Sequence, residues 1–218
     1  MNLREKLSRL IRNEEGAVSV EFVLVFPILA LWLGASFVWF DAFRAKSQMS
    51  KIAYTISDIA SRFDDETTEA DLEELFLTHK LLLPQRRTSE GWLRVSSICF
   101  NGTDYRVLWS YLGDDTYLEA IADPDDEIDP RLLPLSEADI PLNLMPTMSD
   151  NDSIIMTDVY SYWEPIVSWA GFEPTDLNVS LVERPRFFRI IPVVGGLAGY
   201  PNADEGTLCP EGAPPPVI

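Results

Sequence analysis

Histidine occurs once in the 218 residues and cysteine twice, so the chain has little from which to build a metal centre or a nucleophile–base pair. No Cys/His spacing suited to zinc is present, nor a glycine-rich phosphate loop, nor a nucleophile elbow. The lone His79 lies in the leucine-rich stretch FLTHKLLL, where a packed or exposed bystander is expected rather than a catalytic base. Carboxylates are abundant, but abundance does not place an acid beside a base. The reading is of a chain that is not an enzyme and holds no cofactor. Positive charge is scarce as well: 17 basic side chains face 35 acidic ones, for a net charge of −18. A surface this acidic repels phosphate backbones and anionic lipid surfaces. Nucleic acid is therefore not an expected partner, and the excess reads as a solubilising surface.

Apolar sequence, by contrast, is concentrated in one place. Residues 22–40 (FVLVFPILALWLGASFVWF) carry no charge, and the run extends back to Ala17 with Glu21 as its one interruption. As a helix, residues 17–40 would be about 36 Å long, enough to cross a hydrocarbon core of roughly 30 Å with some tilt. A buried core helix usually keeps a polar stripe, and residues 22–40 have none. A membrane helix is expected, kinked at Pro27, whose missing N–H removes a backbone hydrogen bond.

The N-terminus orders its parts unlike a secretory signal, in which the cleavage site follows the apolar stretch. Here the basic residues Arg4, Lys6, Arg9 and Arg12 come first, then the small pair Gly16-Ala17, and only then the apolar run. A cut between Gly16 and Ala17 would remove the leader and keep the whole helix. Glu21 is costly inside a membrane helix, by roughly 2.5–3.5 kcal/mol on insertion scales. That same cut would free the α-amine of Ala17, a cation one helical turn before Glu21. Glu21 could pair with it in the same chain or in a neighbouring subunit. The alternative is a helix that begins at Phe22, with Glu21 at its polar edge.

Gly16-Ala17, three further residues to reach Glu21, and an unbroken apolar run together resemble the type IV prepilin processing site. The longer string EEGAVSVEFVLVFPILALWLG is similar to the TadE/TadF/TadG-like proteins of tight-adherence (Flp) pilus systems. These share a Gly-Ala-x-x-x-Glu-Phe opening and a proline six residues after the Glu, which is Pro27 here. Two later patches extend the likeness, VYSYWEP and the Arg-Pro-Arg at 184–186. The resemblance implies cleavage by a prepilin peptidase, an assembly role for Glu21 and Pro27, and a structural function as a minor pilin or pseudopilin. The implied partners are other pilins or pseudopilins through the N-terminal helix, the prepilin peptidase, inner-membrane pilus assembly proteins and membrane lipid. Charge flanking the apolar run barely orients it, since Arg44, Lys46 and Lys51 follow closely. The leader architecture sets the orientation instead: a single-pass protein of the bacterial inner membrane with its C-terminal domain in the periplasm. In that compartment Cys99 and Cys209 can pair, closing a loop of about 110 residues; in a reducing cytosol they would be two thiols. The competing functional reading is an uncleaved, signal-anchored periplasmic binding or sensor domain.

The expected fold class is α+β, pilin-like: a long N-terminal membrane-spanning helix continuing into a soluble part with an antiparallel sheet. Ile52, Ile56, Ile59 and Phe63 recur at helical spacing, which carries the helix to residue 63. The expected organisation is a cytoplasmic leader at 1–16, a transmembrane helix at 17–40, an amphipathic extension at 41–63 and a periplasmic α+β domain at 64–218. Within that domain, 64–75 reads as an acidic linker or short helix. Strands are expected at 92–100 and 105–112, joined at Asn101-Gly102, and again at 153–166 and 186–194. Residues 121–152 are proline-rich and irregular. Their acidic cluster, Asp123, Asp125, Asp126, Glu127 and Asp129, lacks the spacing and glycine of a calcium loop and reads as a solvated loop. The tail from 201 to 218 holds five prolines and should be extended, tied down only if Cys209 is bridged.

Overall fold

A computed structural model describes residues 17–64, 67–83, 91–113, 133–165, 173–195, 197 and 209. The leader with Gly16, the acidic cluster at 123–129 and the tail beyond 200 (Cys209 apart) lie outside the described residues. Contacts divide the chain into two units, Met1–Arg44 with Pro165–Glu173, and Ala45–Glu164 with Pro174–Ile218. Helix α1, Ala17–Ala60, runs from the first unit into the second, and its helical conformation continues through Pro27. Helix α2 is Glu69–Leu82. Four strands follow: β1 Leu93–Phe100, β2 Tyr105–Gly113, β3 Asp152–Trp163 and β4 Thr175–Glu183. The fold class is α+β, with a long apolar N-terminal helix and one antiparallel sheet.

In the second unit the sheet order is β2-β1-β3-β4, with antiparallel neighbours throughout. Alternate side chains of a strand point to opposite faces, and both faces are covered here. On one face Val95, Cys99, Trp109, Ile155 and Val159 pack with Met49, Ile52, Ala53, Ile56 and Ala60 of α1 and with Leu72, Leu75 and Phe76 of α2. On the other, Ile98, Val107, Ile154 and Met156 pack with Leu135, Ile140 and Met148. Two-sided burial explains why β1 and β3 are buried along nearly their whole length. The helical stripe is set one position away from the expected one. Ile52 and Ile56 are buried, Ile59 is 37% exposed, and Met49, Ala53 and Ala60 take the remaining places.

The hairpin expected at Asn101-Gly102 is present. Gly102 has φ 86°, where a side chain would be strained, and the Asn101 carboxamide oxygen accepts from the backbone N–H groups of Thr103 and Asp104 at 3.0 and 2.7 Å. Of the two readings of 64–75, linker or short helix, the structure has the helix, α2, which runs on to Leu82. The Asp71 carboxylate accepts from the hydroxyl and the backbone N–H of Thr68, each at 2.7 Å, which fixes the first turn. Those two bonds hold the Asp71 carboxyl below its ordinary pKa. At the far end of β2, Gly113 leaves room for the helix: a Cβ there would lie 2.4 Å from the Phe76 ring.

One expected strand is absent and another takes its place. Residues 186–194 form no ladder; their only sheet-like contact among the described residues is a single bridge from Thr68 to Val194. Their backbone groups are committed elsewhere. The Arg186 N–H donates to the Ser61 carbonyl and the Val194 N–H to the Thr67 carbonyl, both at 2.8 Å, while the Arg189 carbonyl accepts from the Ser153 hydroxyl at 2.6 Å. Pro192 has no N–H to give a ladder. The fourth strand is instead β4, whose sequence TDLNVSLVE alternates polar and apolar side chains and pairs with β3 from Thr175 to Glu183. Leu177 and Val179 face the core with α1 and α2. Five polar side chains in nine residues hide this strand from a search for apolar runs.

The bridge Cys99–Cys209 ties β1 to the last described residue, with the Cα atoms 5.8 Å apart. Both cysteines belong to the core beneath α1 and α2. A second long-range tie crosses β1 and β3, where Arg94 and Asp158 are register partners. The Asp158 carboxylate accepts from Arg94 Nε and Nη2 at 2.9 and 2.8 Å. Arg94 also donates Nη1 to the Leu133 carbonyl at 3.1 Å and lies over the Trp92 ring. The two side chains are 12% and 2% exposed. Removing one partner of such a pair leaves an uncompensated buried charge. Asp158→Ala is therefore expected to lower the unfolding free energy by about 3–5 kcal/mol, read from denaturant melts of the full chain in detergent; a loss under 1 kcal/mol would refute this role. Cys99→Ala/Cys209→Ala is expected to cost about 4–5 kcal/mol in the chain-entropy model. The same melts with and without reductant on the parent protein provide the check.

Candidate functional site

The chemistry proposed from the sequence sits at the start of α1. Ala17 opens the helix and Glu21 follows one turn later. Phe22, Val23, Leu24, Phe26, Ile28, Leu29, Trp32 and Phe37 are all more than half exposed. The Phe22 and Phe26 rings stack with centroids 5.3 Å apart, as i,i+4 neighbours on one side of the helix. Glu21 is exposed as well, and it borders a shallow groove lined by Phe22, Val25, Phe26 and Leu29. No hydrogen bond or ion pair reaches its carboxylate among the described residues. Pro27 lies six residues beyond it, within the helix. Among the described residues α1 is the one helix long and apolar enough to cross a membrane by length and composition, and almost none of its most apolar stretch is buried.

The residues singled out from the sequence thus fall into two sets. Ala17, Glu21 and Pro27 share about the first three turns of α1, while Cys99 and Cys209 are bridged in the second unit. They do not form one site. The described residues contain no cluster of His, Cys, Asp or Glu able to hold a metal ion.

Three polar features of the second unit have no signature in the sequence. The Arg94–Asp158 pair is one, since two charges 64 positions apart announce themselves only once the strands are in register. The second is Arg186, which pairs with Asp58 near the end of α1 and with Glu183, tying the Arg-Pro-Arg segment to the helix. His79 is the third. It is fully buried on α2, stacked at 6.2 Å on Phe76, and its two ring nitrogens have no hydrogen-bond partner. Burial, with the Lys80 charge beside it, lowers its pKa to about 4. It is a packed neutral imidazole with no group in position to exchange a proton with it.

Comparison of the chain with protein-family models, with curated proteins and with solved structures finds no match.

The His79 environment sets a pH dependence. Its folded pKa lies below the unfolded value of 6.5, so the unfolded chain takes up the proton first. Stability should be full above pH 6.5 and fall as the pH drops toward 4, by about 3 kcal/mol in all. His79→Leu should flatten the curve across that window in thermal melts of the full chain. An unchanged slope between pH 6.5 and 4 would contradict the assignment.

Proposed function

We propose that this chain is a minor pilin or pseudopilin of a tight-adherence (Flp) type IV pilus system, acting structurally in pilus biogenesis. The observation that carries the reading is the first half of α1: a helix that begins at Ala17, exposes an uncharged apolar surface over residues 22–40, and holds one carboxylate, Glu21, one turn in. Exposed apolar surface on this scale marks contact with lipid or with other proteins. A length of about 36 Å suits a membrane. In this reading α1 crosses the inner membrane once, with the domain beyond it in the periplasm, and it packs against like helices of other pilins there or in the fibre. The bridge between Cys99 and Cys209 suits an oxidising compartment.

The mechanism is electrostatic. A prepilin peptidase hydrolyses the Gly16–Ala17 peptide bond, releasing the leader as a carboxylate and leaving Ala17 with a protonated α-amine. That cation lies one turn before Glu21, close enough to pair with it within the chain or across to a neighbouring helix. An unpaired carboxylate in lipid costs roughly 2.5–3.5 kcal/mol, and only one axial offset between neighbouring helices brings amine and carboxylate together. Buried ion pairs add little net stability but can fix register. Pro27, without its N–H, leaves the Val23 carbonyl free of its usual intrahelical donor and gives the helix a place to bend on packing.

The test is Glu21→Ala in cells that assemble pili, with the protein followed in the sheared pilus fraction and in complexes that co-purify with the major pilin. A fall of at least about tenfold is expected, roughly the cost of losing one register-setting pair, with Glu21→Asp retaining most of the signal. Wild-type levels for Glu21→Ala would exclude the assembly role.

A further inference from the structure

Asparagine occurs seven times in the chain and is followed by glycine once, at Asn101-Gly102. This pair makes the turn between β1 and β2, within the second unit. Asn101 is half-buried and Gly102 exposed. The hydrogen bonds that Asn101 Oδ1 accepts from the N–H groups of Thr103 and Asp104 fold the carboxamide forward over the Gly102 peptide. No hydrogen bond reaches the Gly102 N–H among the described residues, and glycine has no Cβ to shield that nitrogen. An amide nitrogen without a partner therefore stands beside a side-chain carbonyl carbon that two donors polarise.

We propose that Asn101 is a self-modifying site, which the turn converts to aspartate and isoaspartate through attack by the Gly102 nitrogen on Asn101 Cγ. The bond from Gly102 N to Cγ forms and the bond from Cγ to Nδ2 breaks. The Gly102 amide proton passes to the departing nitrogen, which leaves as ammonia, and a cyclic imide remains. Water then opens the imide. Addition at Cγ restores the main chain and gives aspartate; addition at the Asn101 main-chain carbonyl gives isoaspartate, in which the backbone runs through Cβ. Nothing is oxidised or reduced, and water is the one co-reactant. The turn assists the first step electrostatically. The tetrahedral intermediate places negative charge on Oδ1, where the N–H groups of Thr103 and Asp104 already point, as donors do in an oxyanion hole.

Either product alters the surroundings. Aspartate at position 101 adds a carboxylate to an end of the sheet that already holds Asp104 and Asp150, whose Oδ1 lies 3.4 Å from the place a Cβ on Gly102 would take. Isoaspartate inserts a methylene into the main chain directly after Phe100. The Phe100 carbonyl accepts from the Asn151 N–H at 2.7 Å, and the Asn151 carboxamide oxygen accepts from the Cys209 N–H at 3.0 Å. The lengthened backbone thus adjoins the contacts that seat the bridged Cys209. None of this depends on the membrane reading of α1.

The test incubates the purified full chain, folded in detergent at mildly alkaline pH, and follows it by peptide mapping with mass spectrometry. The peptide carrying residue 101 is expected to lose ammonia and then to become heavier than the parent peptide by about one dalton. It should end as a mixture of aspartate and isoaspartate, the latter shown by its methylation with a protein isoaspartyl methyltransferase. The asparagines not followed by glycine should keep their mass over the same interval. Gly102→Ala, which sets a Cβ beside the nitrogen, should slow the conversion at least about tenfold. Two results on the parent chain would overturn the proposal whether or not that variant folds. One is a folded chain that keeps Asn101 over the interval in which the urea-unfolded chain converts it, since the turn would then protect the site. The other is conversion to aspartate with no isoaspartate, since direct hydrolysis does not pass through the imide.

Discussion

Water is the wrong solvent for the first half of α1, and every functional statement about this chain depends on that constraint. Residues 22–40 present Phe, Leu, Ile, Val and Trp side chains outward, with no charge among them. Each buried methylene is worth about 0.8 kcal/mol relative to water, so a surface of this kind will find lipid or other apolar helices. The second half of the same helix resolves the problem differently. From Met49 to Ala60 its apolar side chains recur at spacings of three and four and go into the sheet core. One element therefore has an exposed apolar half and a half packed into the core.

The second unit is held by ties between distant parts of the chain. The sheet is covered on both faces, β1 and β3 are joined by the Arg94–Asp158 pair, and Cys209 is fastened to β1 through Cys99. Its described arginines bond to internal carboxylates and backbone carbonyls. Arg189 bonds to Asp152, which with the Ser149 N–H holds the Asp152 carboxyl below its ordinary pKa. Its described polar groups hold strands and loops together.

The features legible in the sequence were those set by local physics. An uncharged run of sufficient length gives a helix, Asn101-Gly102 gives a hairpin because its backbone geometry requires it, and the long β-branched and aromatic run around 153–163 gives the central strand. Features set by tertiary contact were not legible. The strand β4 lies at the sheet edge, and its Asp176, Asn178 and Ser180 conceal it among loop-like residues. The segment 186–194 is apolar enough to be a strand, yet its backbone bonds to Ser61, Thr67 and Ser153 instead. Ile59 fits a helical stripe by spacing, but the core takes up Ala53 and Ala60 beside that stripe and leaves Ile59 half-exposed. At the candidate site Ala17, Glu21 and Pro27 were visible because a charge and a proline stand out against apolar sequence.

The central claim is that an acid within an apolar helix is matched by a cation that proteolysis creates. The intact mass of the protein, extracted from membranes of cells with an active prepilin-processing protease, measures this most directly. A polypeptide beginning at Ala17 is the expected result. A polypeptide still carrying residues 1–16 would leave Glu21 without its amine, and the chain would then be an anchored domain rather than a processed pilin.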